Sequence, residues 1–377
     1  MNLLYTQKGY PEKRNFLYNK NVNFSQSIDV FKTICHLSFK ILKTIPSWAL
    51  NLYYNPFISN SKLLHFFNGI CLSEQQWIST FETILPRLGK VPTWVEKKAI
   101  KKLAASNCIK LVALSNCTYN IQKHYLNQNW PEYSEIILNK TIVLHPPQPL
   151  LINNLNEKPS VKNGLVFTFV GNQFFSKGGK EILNVFKQLA QNGHYFQLNI
   201  VSNFSPDQYA SNTTAKDIKL LKEQFSQIPD TIKILGPMPN KEVISLLKQS
   251  HVALLPTYAD TYGYFVLEAQ ACGCPVVSTN IRALPEINNN ECGWVIPVPK
   301  DKNGNGILKT SNDRETFSKI IEKNLCTIVN EIIKNPDSIV PKAKASIERI
   351  KKQHDPEKHA LKLINIYSKT SIKNNNN

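Results

Sequence analysis

The sequence has no uninterrupted apolar run of about 18 residues, the length that a membrane-spanning helix needs. Its first residues, Met1–Tyr10, resemble a short strand and a turn rather than a signal peptide. The eight cysteines form no CxxC pair and no Cys/His spacing typical of a zinc site. We therefore expect a cytoplasmic protein whose thiols are buried or half-buried, without disulfides or zinc.

Acidic residues are scarce: 27 Asp and Glu face 45 Lys and Arg, giving a formal net charge of +18. The excess is densest in residues 1–150, which hold 17 basic and 7 acidic side chains. Such a surface favours an anionic partner, namely a membrane surface, a phosphorylated donor or acceptor, or nucleic acid. Zinc-finger, RNP-like and basic helix-turn-helix patterns are absent, so nucleic acid is the least favoured of the three.

The second half of the chain alternates short apolar runs with segments of helical periodicity. The predicted strands are 165–170, 196–201, 232–235, 252–256 and 275–278, and the helices between them are 179–191, 214–225, 241–249 and 264–271. This alternation predicts βαβ units and a parallel sheet covered on both faces. We place this Rossmann-like domain at residues 160–345.

The first half shows the same pattern less regularly and predicts a smaller α/β domain over residues 1–150. Its predicted strands are 2–6, 62–67, 77–81, 109–114 and 141–144, and its helices lie near 27–43, 94–106 and 117–127. Four prolines in 146–159 indicate an interdomain linker, and a final helix at 356–368 has an apolar face that should dock. Two such domains would place the carboxyl ends of both sheets around one cleft.

Two carboxylates flank the start of a predicted helix in the run LLPTYADTYGYFVLEAQACGCPVVST, residues 254–279. Asp260 precedes the helix, and Glu268 lies about five residues inside it, about 7 Å along the axis. The helix N-terminus suits a phosphate, and carboxylates too far apart to share a proton suit the hydroxyls of a sugar diphosphate. The spacing is equally compatible with a capping Asp260 and a solvated Glu268.

A second stretch, FVGNQFFSKGGKEIL at 169–183, ends a strand at Gly171 and places Lys177 and two glycines before a helix. Such a lysine can reach a diphosphate, and the glycines permit close approach of the backbone. The GxxxxGK[ST] order of a Walker A loop is absent. Alone, the stretch is also compatible with an ordinary solvated lysine.

Together the two stretches resemble the donor-binding domain of family 4 (group 1) glycosyltransferases. This family has the GT-B fold, an α/β architecture of two Rossmann-like parallel-sheet domains facing a central cleft. The segment from Asp260 to Glu268 matches the spacing of the family's paired-glutamate element, and ACGCPVVST and ALPEI follow in the family's order. LGPMPNKEV at 235–243 resembles the loop beside the nucleotide base, and 354–367 resembles the helix that crosses back to the first domain. The likeness covers residues 165–367.

The resemblance implies a retaining, metal-independent sugar transfer from a nucleotide diphosphate donor to a glycan or lipid-linked acceptor, in cell-surface polysaccharide biosynthesis. Lys177 would contact the diphosphate, Glu268 the ribose hydroxyls, and Asp260, at the catalytic centre, the hydroxyls of the transferred sugar. The other donor-binding residues that it implies are Gly171, Asn172, Gly178, Pro237, Met238, Tyr262, Gly263 and Tyr264. It implies no cofactor besides the donor substrate.

Two positions depart from the family pattern. Asn172 stands where members often have arginine, so neutralisation of the phosphates would rest on Lys177. Asp260 is one methylene shorter than the usual glutamate. Both departures favour a second hypothesis, a binding protein of the same fold that has lost catalysis, and a phosphorylase or epimerase is a third. The presence of Lys177, Gly263 and Glu268 favours the transferase.

In the first domain, Glu82 follows the strand at 77–81, where members often carry a catalytic histidine. It is our candidate for orienting the acceptor or stabilising oxocarbenium charge, and a structural salt bridge to Arg87 is the alternative. His65 is expected to be a half-buried structural histidine.

Two predicted helices of the first domain carry lysines that could hold an anionic membrane. The lysines are Lys97, Lys98, Lys101 and Lys102 on one helix, and Lys32, Lys40 and Lys43 on the other. Such a contact would place the protein peripherally on the inner face of the membrane. A solvated basic face is the alternative.

Overall fold

The computed structural model describes residues 2–46, 48–57 and 62–372, and the chain divides into two compact units. The first unit comprises Met1–Pro147 and Asp355–Asn377, and the second comprises Gln148–His354. Each unit contains a six-stranded parallel sheet. The first unit also has a pair of two-residue strands.

The sheet of the first unit has the strand order β2-β1-β4-β6-β7-β8. The strands of this unit are β1 (Asn2–Tyr5), β2 (Asn23–Gln26), β3 (Leu52–Tyr53), β4 (Leu63–Phe67), β5 (Ile70–Cys71), β6 (Trp77–Phe81), β7 (Cys108–Ala113) and β8 (Thr141–Val143). Its helices before residue 147 are α1 (Tyr10–Glu12), which continues into a π-helical turn (Lys13–Leu17), α2 (Val30–Leu42), α3 (Thr93–Ala104), α4 (Asn116–Asn129) and α5 (Pro131–Asn139). β6 is buried along its whole length, as expected for a central strand of a parallel sheet.

The sheet of the second unit has the order β11-β10-β9-β12-β13-β14. Its strands are β9 (Leu165–Val170), β10 (Phe196–Val201), β11 (Ile232–Leu235), β12 (Val252–Leu255), β13 (Val276–Thr279) and β14 (Gly293–Ile296). Its helices are α6 (Gly179–Gln191), α7 (Ala215–Glu223), α8 (Asn240–Lys248), α9 (Tyr264–Ala271), α10 (Leu284–Ile287), α11 (Ser311–Lys334) and α12 (Ile339–Gln353). The βαβ alternation predicted from the apolar runs is therefore confirmed through β13. β14, α11 and α12 were not predicted.

The last helix, α13 (Pro356–Ile372), belongs to the first unit. Its Tyr367 is fully buried, and the Tyr367 hydroxyl lies 2.7 Å from Nδ1 of His65 on β4. The other ring nitrogen of His65 lies 2.9 Å from the Thr80 hydroxyl, and its ring stacks on Phe16 at 4.0 Å. His65 is thus fully buried rather than half-buried as expected, because α13 covers the β4 position where it sits.

Burial lowers the pKa of His65 to about 3 from the ordinary value of 6.5. Between these two values the unfolded chain binds a proton that the native chain does not, so the free energy of unfolding falls as the pH falls below 6.5. From pH 7 to pH 5 we expect His65 to account for a loss of about 2 kcal/mol. Urea unfolding of the wild type and of His65→Gln at pH 7 and pH 5 measures this loss of unfolding free energy. Equal losses in the two proteins would refute this assignment.

Candidate functional site

The candidate site of the second unit lies where β9 and β12, which are neighbours in the sheet, end at the same edge. Loop A (171–178) connects β9 to α6, and loop B (256–263) connects β12 to α9. Most of the residues predicted to bind a donor belong to these two loops. Parallel strands bring such loops together at their carboxyl ends, which is where ligands bind in this class of fold.

Loop A and loop B are bonded to each other through Ser176. Its carbonyl oxygen accepts hydrogen bonds from the Tyr258 amide at 2.8 Å and the Thr257 hydroxyl at 3.1 Å. The Thr279 hydroxyl, on β13, in turn donates to the Thr257 carbonyl at 2.7 Å. None of these residues could be recognised from the sequence, because they serve the site through side-chain and backbone bonds that no motif spacing reveals.

Gly178 is the point of closest approach between the two loops. Its φ of +80° lies in the left-handed region, and a Cβ atom there would lie 2.2 Å from the Pro256 carbonyl oxygen. Glycine is therefore required both by the backbone conformation and by the packing of loop A against the end of β12. This requirement is the local reason for a glycine after Lys177.

Gly178→Ala is expected to destabilise the protein by about 2–5 kcal/mol, the sum of left-handed strain and a clash with rigid backbone. Gly193→Ala is the matched control, because Gly193 has a φ of +81° but nothing within 4 Å of the added Cβ. The free energy of unfolding of this control should fall by about 1–2 kcal/mol, from left-handed strain alone. Urea unfolding measures both variants, and equal losses would show that the contact with Pro256 is unimportant.

Lys177 and Asp260 form an ion pair across the two loops. Nζ of Lys177 lies 2.8 Å from Oδ2 of Asp260 and donates to the Ala259 carbonyl at 2.8 Å. The other carboxylate oxygen of Asp260 accepts from the Tyr262 amide at 3.2 Å. The two side chains are 21% and 18% exposed, so Lys177 is held within the site rather than extended into solvent. Gly171 leaves room for it, since a Cβ at 171 would lie 2.9 Å from the Lys177 side chain.

Glu268 lies on α9, which begins after Gly263, a residue with a φ of +92°. Only 7% of Glu268 is exposed, which contradicts the alternative of a solvated helix residue. Its Oε1 accepts a hydrogen bond of 3.2 Å from the Asn240 side chain at the start of α8. Asn240 follows the loop that contains Pro237 and Met238, so that loop is adjacent to the Glu268 carboxylate.

Of the remaining predicted donor-binding residues, Asn172 lies in loop A, Tyr262 in loop B and Tyr264 at the start of α9. Tyr262 is buried, and its ring centroid lies 5.3 Å from that of Tyr264. Asn172 is exposed, and its carbonyl oxygen accepts from the Ser205 hydroxyl at 3.2 Å. Loop A and loop B together therefore offer one ammonium and one carboxylate at a single sheet edge, with the buried Glu268 carboxylate on the helix that follows.

Loop B is further held by Glu181, which the sequence analysis did not single out. Oε1 of this buried carboxyl group accepts from the hydroxyls of Tyr258 at 2.8 Å and Ser318 at 2.6 Å. Burial raises the pKa of Glu181. The contact ties α6 and α11 to loop B two residues before Asp260, so Glu181 positions the loop rather than contacting a ligand.

In the first unit, Glu82 follows β6 and forms the salt bridge to Arg87 that the sequence left as the alternative, at 2.6 Å. The neighbouring Thr80 hydroxyl is bonded to His65. Of the predicted lysine stripe on α3, Lys102 pairs with Glu74 at 2.7 Å, while Lys97, Lys98 and Lys101 are exposed. A catalytic role for Glu82 stays a prediction.

Within residues 2–46, 48–57 and 62–372, no three His, Cys, Asp or Glu side chains are grouped so that they could hold a metal ion. No helix in the described part of the chain combines the length and apolar character needed to cross a membrane.

A known family matches the part of the chain that contains this site. The family model described as "Glycosyl transferases group 1" matches residues 153–325, which include loop A, loop B and α9. The predicted resemblance to group 1 glycosyltransferases is thereby confirmed for this region. The chain also shares the fold of Anabaena Alr3699/HepE, solved in complex with UDP, with a TM-score of 0.59 and 13% identity over 98% of this chain and 99% of that one. The predicted GT-B fold is confirmed.

Two curated relatives match part of this chain. The D-inositol 3-phosphate glycosyltransferase of Corynebacterium jeikeium is 30% identical over 120 residues, which are 32% of this chain and 28% of that protein. The phosphatidylinositol N-acetylglucosaminyltransferase gpi3 subunit of Schizosaccharomyces pombe is 22% identical over 153 residues, 40% of this chain and 32% of that protein. The matches thus span less than one third of either relative.

Proposed function

We propose that the protein is a retaining, metal-independent glycosyltransferase that moves a sugar from a nucleoside diphosphate to a glycan or lipid-linked acceptor. The observation that carries the proposal is the Lys177–Asp260 pair at the carboxyl edge of the second sheet, followed by the buried Glu268 on α9. These residues lie inside the region that matches the group 1 glycosyltransferase model.

The donor would use the two loops and α9 in different ways. Lys177 would bind the diphosphate and neutralise the charge that develops as it leaves, which is the task of a metal ion in other transferases. Because Nζ of Lys177 now contacts Asp260, the diphosphate would take the place of that carboxylate. Asp260 would then be free to accept hydrogen bonds from the transferred sugar, while Glu268 accepts them from the ribose.

The acceptor would meet the basic first unit. The two curated relatives are named for acceptors that contain inositol phosphate, one soluble and one lipid-linked. A phosphorylated or lipid-linked acceptor suits a region with 17 basic and 7 acidic residues in its first 150. We also propose a cytoplasmic location with peripheral contact to the inner face of the membrane, and a role in cell-surface polysaccharide biosynthesis. Glu82 would orient the acceptor only if it leaves Arg87.

A thermal-shift panel of UDP-, GDP- and ADP-sugars, each with and without EDTA, tests the donor proposal. UDP-sugars come first because HepE was solved with UDP. At about a hundredfold excess over Kd, binding should stabilise the protein by about 2.7 kcal/mol and raise Tm by a few degrees. A shift for one nucleotide that EDTA leaves unchanged supports the proposal. A shift that EDTA abolishes contradicts metal independence, and no shift favours a binding protein that has lost its donor.

A further inference from the structure

Exposed apolar side chains are concentrated in one short segment of the first unit. In the described part of the chain, 21 large apolar residues are exposed, and 12 of them lie within residues 28–57. We call these the apolar surface: Ile28, Val30, Ile34, Leu37, Phe39, Ile41, Leu42, Ile45, Trp48, Leu50, Tyr54 and Phe57. Scattered single apolar residues are normal on a protein surface, but a group of this size indicates a contact.

The centre of the apolar surface is one stripe of α2. Val30, Ile34, Leu37 and Ile41 recur every three or four residues and therefore line one side of the helix. All four are exposed, Ile41 by 75%. The helix meets its own unit through a different side, on which Cys35 is buried. α2 thus has two apolar sides, and the protein covers one of them.

Beside β3 the segment is bonded to the rest of the first unit: the Leu72 amide donates to the Tyr53 carbonyl at 2.8 Å, and the Asn55 amide donates to the Ser73 hydroxyl at 2.9 Å. Contacts within the segment then hold the start of α2. Asp29 is buried, and its carboxylate accepts from the amides of Phe31 at 3.0 Å and Tyr54 at 3.4 Å. The Val30 amide donates to the Tyr54 carbonyl at 3.1 Å, and Phe31 packs edge-on against Trp48 at 5.9 Å. The apolar surface is therefore presented by a folded segment of the first unit.

The charge of the segment selects the occupant. Asp29 is the one acidic residue in 28–57, and it is buried as the cap of α2. Lys32, Lys40 and Lys43 are exposed beside the apolar stripe. A second copy of the chain would set like charges against each other, whereas anionic phospholipids would neutralise them. The amphipathic rings of Trp48 and Tyr54 also favour the level of lipid headgroups.

We propose that residues 28–57 dock the protein on an anionic phospholipid bilayer, with α2 lying in the plane of the interface and the apolar surface entering the headgroup region. α2 has 13 residues, a length of about 20 Å, which suits an interfacial helix. This mode depends on apolar insertion, unlike the purely electrostatic contact predicted for the lysines of α3. It specifies the membrane contact within the proposed function, and it does not depend on donor binding.

Vesicle flotation of the full chain tests the proposal. The vesicles are pure phosphatidylcholine and phosphatidylcholine mixed with phosphatidylglycerol. We expect binding to the mixed vesicles, and Ile41→Ser/Leu42→Ser should lower the partition coefficient at least about tenfold, because both side chains leave the bilayer. Leu220→Ser/Leu361→Ser is the matched control, since both of these leucines are exposed outside the segment, and its binding should be unchanged. Circular dichroism and the melting temperature without any ligand verify that every variant is folded.

A third variant, Lys97→Gln/Lys98→Gln/Lys101→Gln, distinguishes insertion of the apolar surface from electrostatic contact through the lysines of α3. Loss of binding in this variant together with full binding of Ile41→Ser/Leu42→Ser would overturn the proposal in favour of α3. Equal binding to pure phosphatidylcholine would overturn the anionic preference. If the protein binds neither kind of vesicle, lipid is overturned as the occupant of the apolar surface. This holds whether or not the protein forms a dimer that Ile41→Ser/Leu42→Ser dissociates. Quenching of Trp48 fluorescence by brominated phosphatidylglycerol, absent in Trp48→Phe, would support insertion directly.

Discussion

Lys177→Ala is expected to weaken the binding of a nucleoside diphosphate by about a hundredfold, about 3 kcal/mol. The substitution removes the ammonium group that we assign to the diphosphate. It also leaves the Asp260 carboxylate, only 18% exposed, without its partner and facing an anionic ligand. Isothermal titration with the nucleotide that the thermal-shift panel selects measures the effect. Lys180→Ala is the control, because Lys180 is an exposed lysine in the first turn of α6. Similar affinities of Lys177→Ala and the wild type would rule out the assigned role.

Asp260→Asn is expected to change the affinity for the nucleoside diphosphate in the opposite direction. Because Nζ of Lys177 lies 2.8 Å from Oδ2 of Asp260, the carboxylate and the diphosphate compete for one ammonium group. Removing the charge of Asp260 should tighten the binding of the free nucleoside diphosphate and at the same time lower sugar transfer. Weaker nucleotide binding in Asp260→Asn would show that the ion pair supports the site rather than competing with its ligand.

Glu268→Ala is expected to weaken nucleotide binding about 10–100-fold, because hydrogen bonds from ribose hydroxyls to a buried carboxylate are charge-assisted. The loss should depend on the ribose. The wild type should prefer the ribonucleotide over its 2′-deoxy analogue, and Glu268→Ala should bind the two more nearly alike. Glu268→Gln, which keeps the shape beside Asn240, should fall between the wild type and Glu268→Ala.

The control for this prediction is Glu242→Ala, an exposed carboxylate on α8 near Asn240. Titrating the wild type and Glu268→Ala, each with the ribonucleotide and with the deoxynucleotide, gives four affinities. Together they define the coupling energy between Glu268 and the 2′-hydroxyl. An undiminished preference for the ribonucleotide in both Glu268 variants would place the ribose elsewhere.

Much of the second sheet could be predicted because most of its strands are buried along nearly their whole length. β9, β10 and β11 begin and end at the predicted residues, since apolar runs in parallel sheets stop where the chain leaves the core. β14 was missed because its apolar run begins with a glycine and is interrupted at once by Pro297 and Pro299, which is not typical of a strand. α11 carried a detectable signal, as its buried residues recur at helical spacing: Phe317, Ile321, Leu325, Val329 and Ile332.

The residues of the site could be predicted from motif order, but their contacts could not. Lys177 and Asp260 are 83 residues apart, and their pairing depends on how β9 and β12 align in the sheet. The bond from Asn240 to Glu268 likewise joins two helices. The solvent exposure of the apolar stripe on α2 could not be predicted from the sequence either, because an apolar stripe that meets solvent has the same periodicity as one that packs on a core.

The central claim, a transferase that releases a nucleoside diphosphate without a metal ion, is tested most directly by ³¹P NMR of the protein with nucleotide sugars in EDTA. We expect nucleoside diphosphate to accumulate from one donor, with water as the slow acceptor, and we expect Lys177→Ala to abolish the release while Lys180→Ala does not. Sugar phosphate formed only when inorganic phosphate is added would indicate a phosphorylase. If no donor yields nucleoside diphosphate, the proposed transferase activity is wrong. The remaining hypothesis is then a binding protein of the same fold.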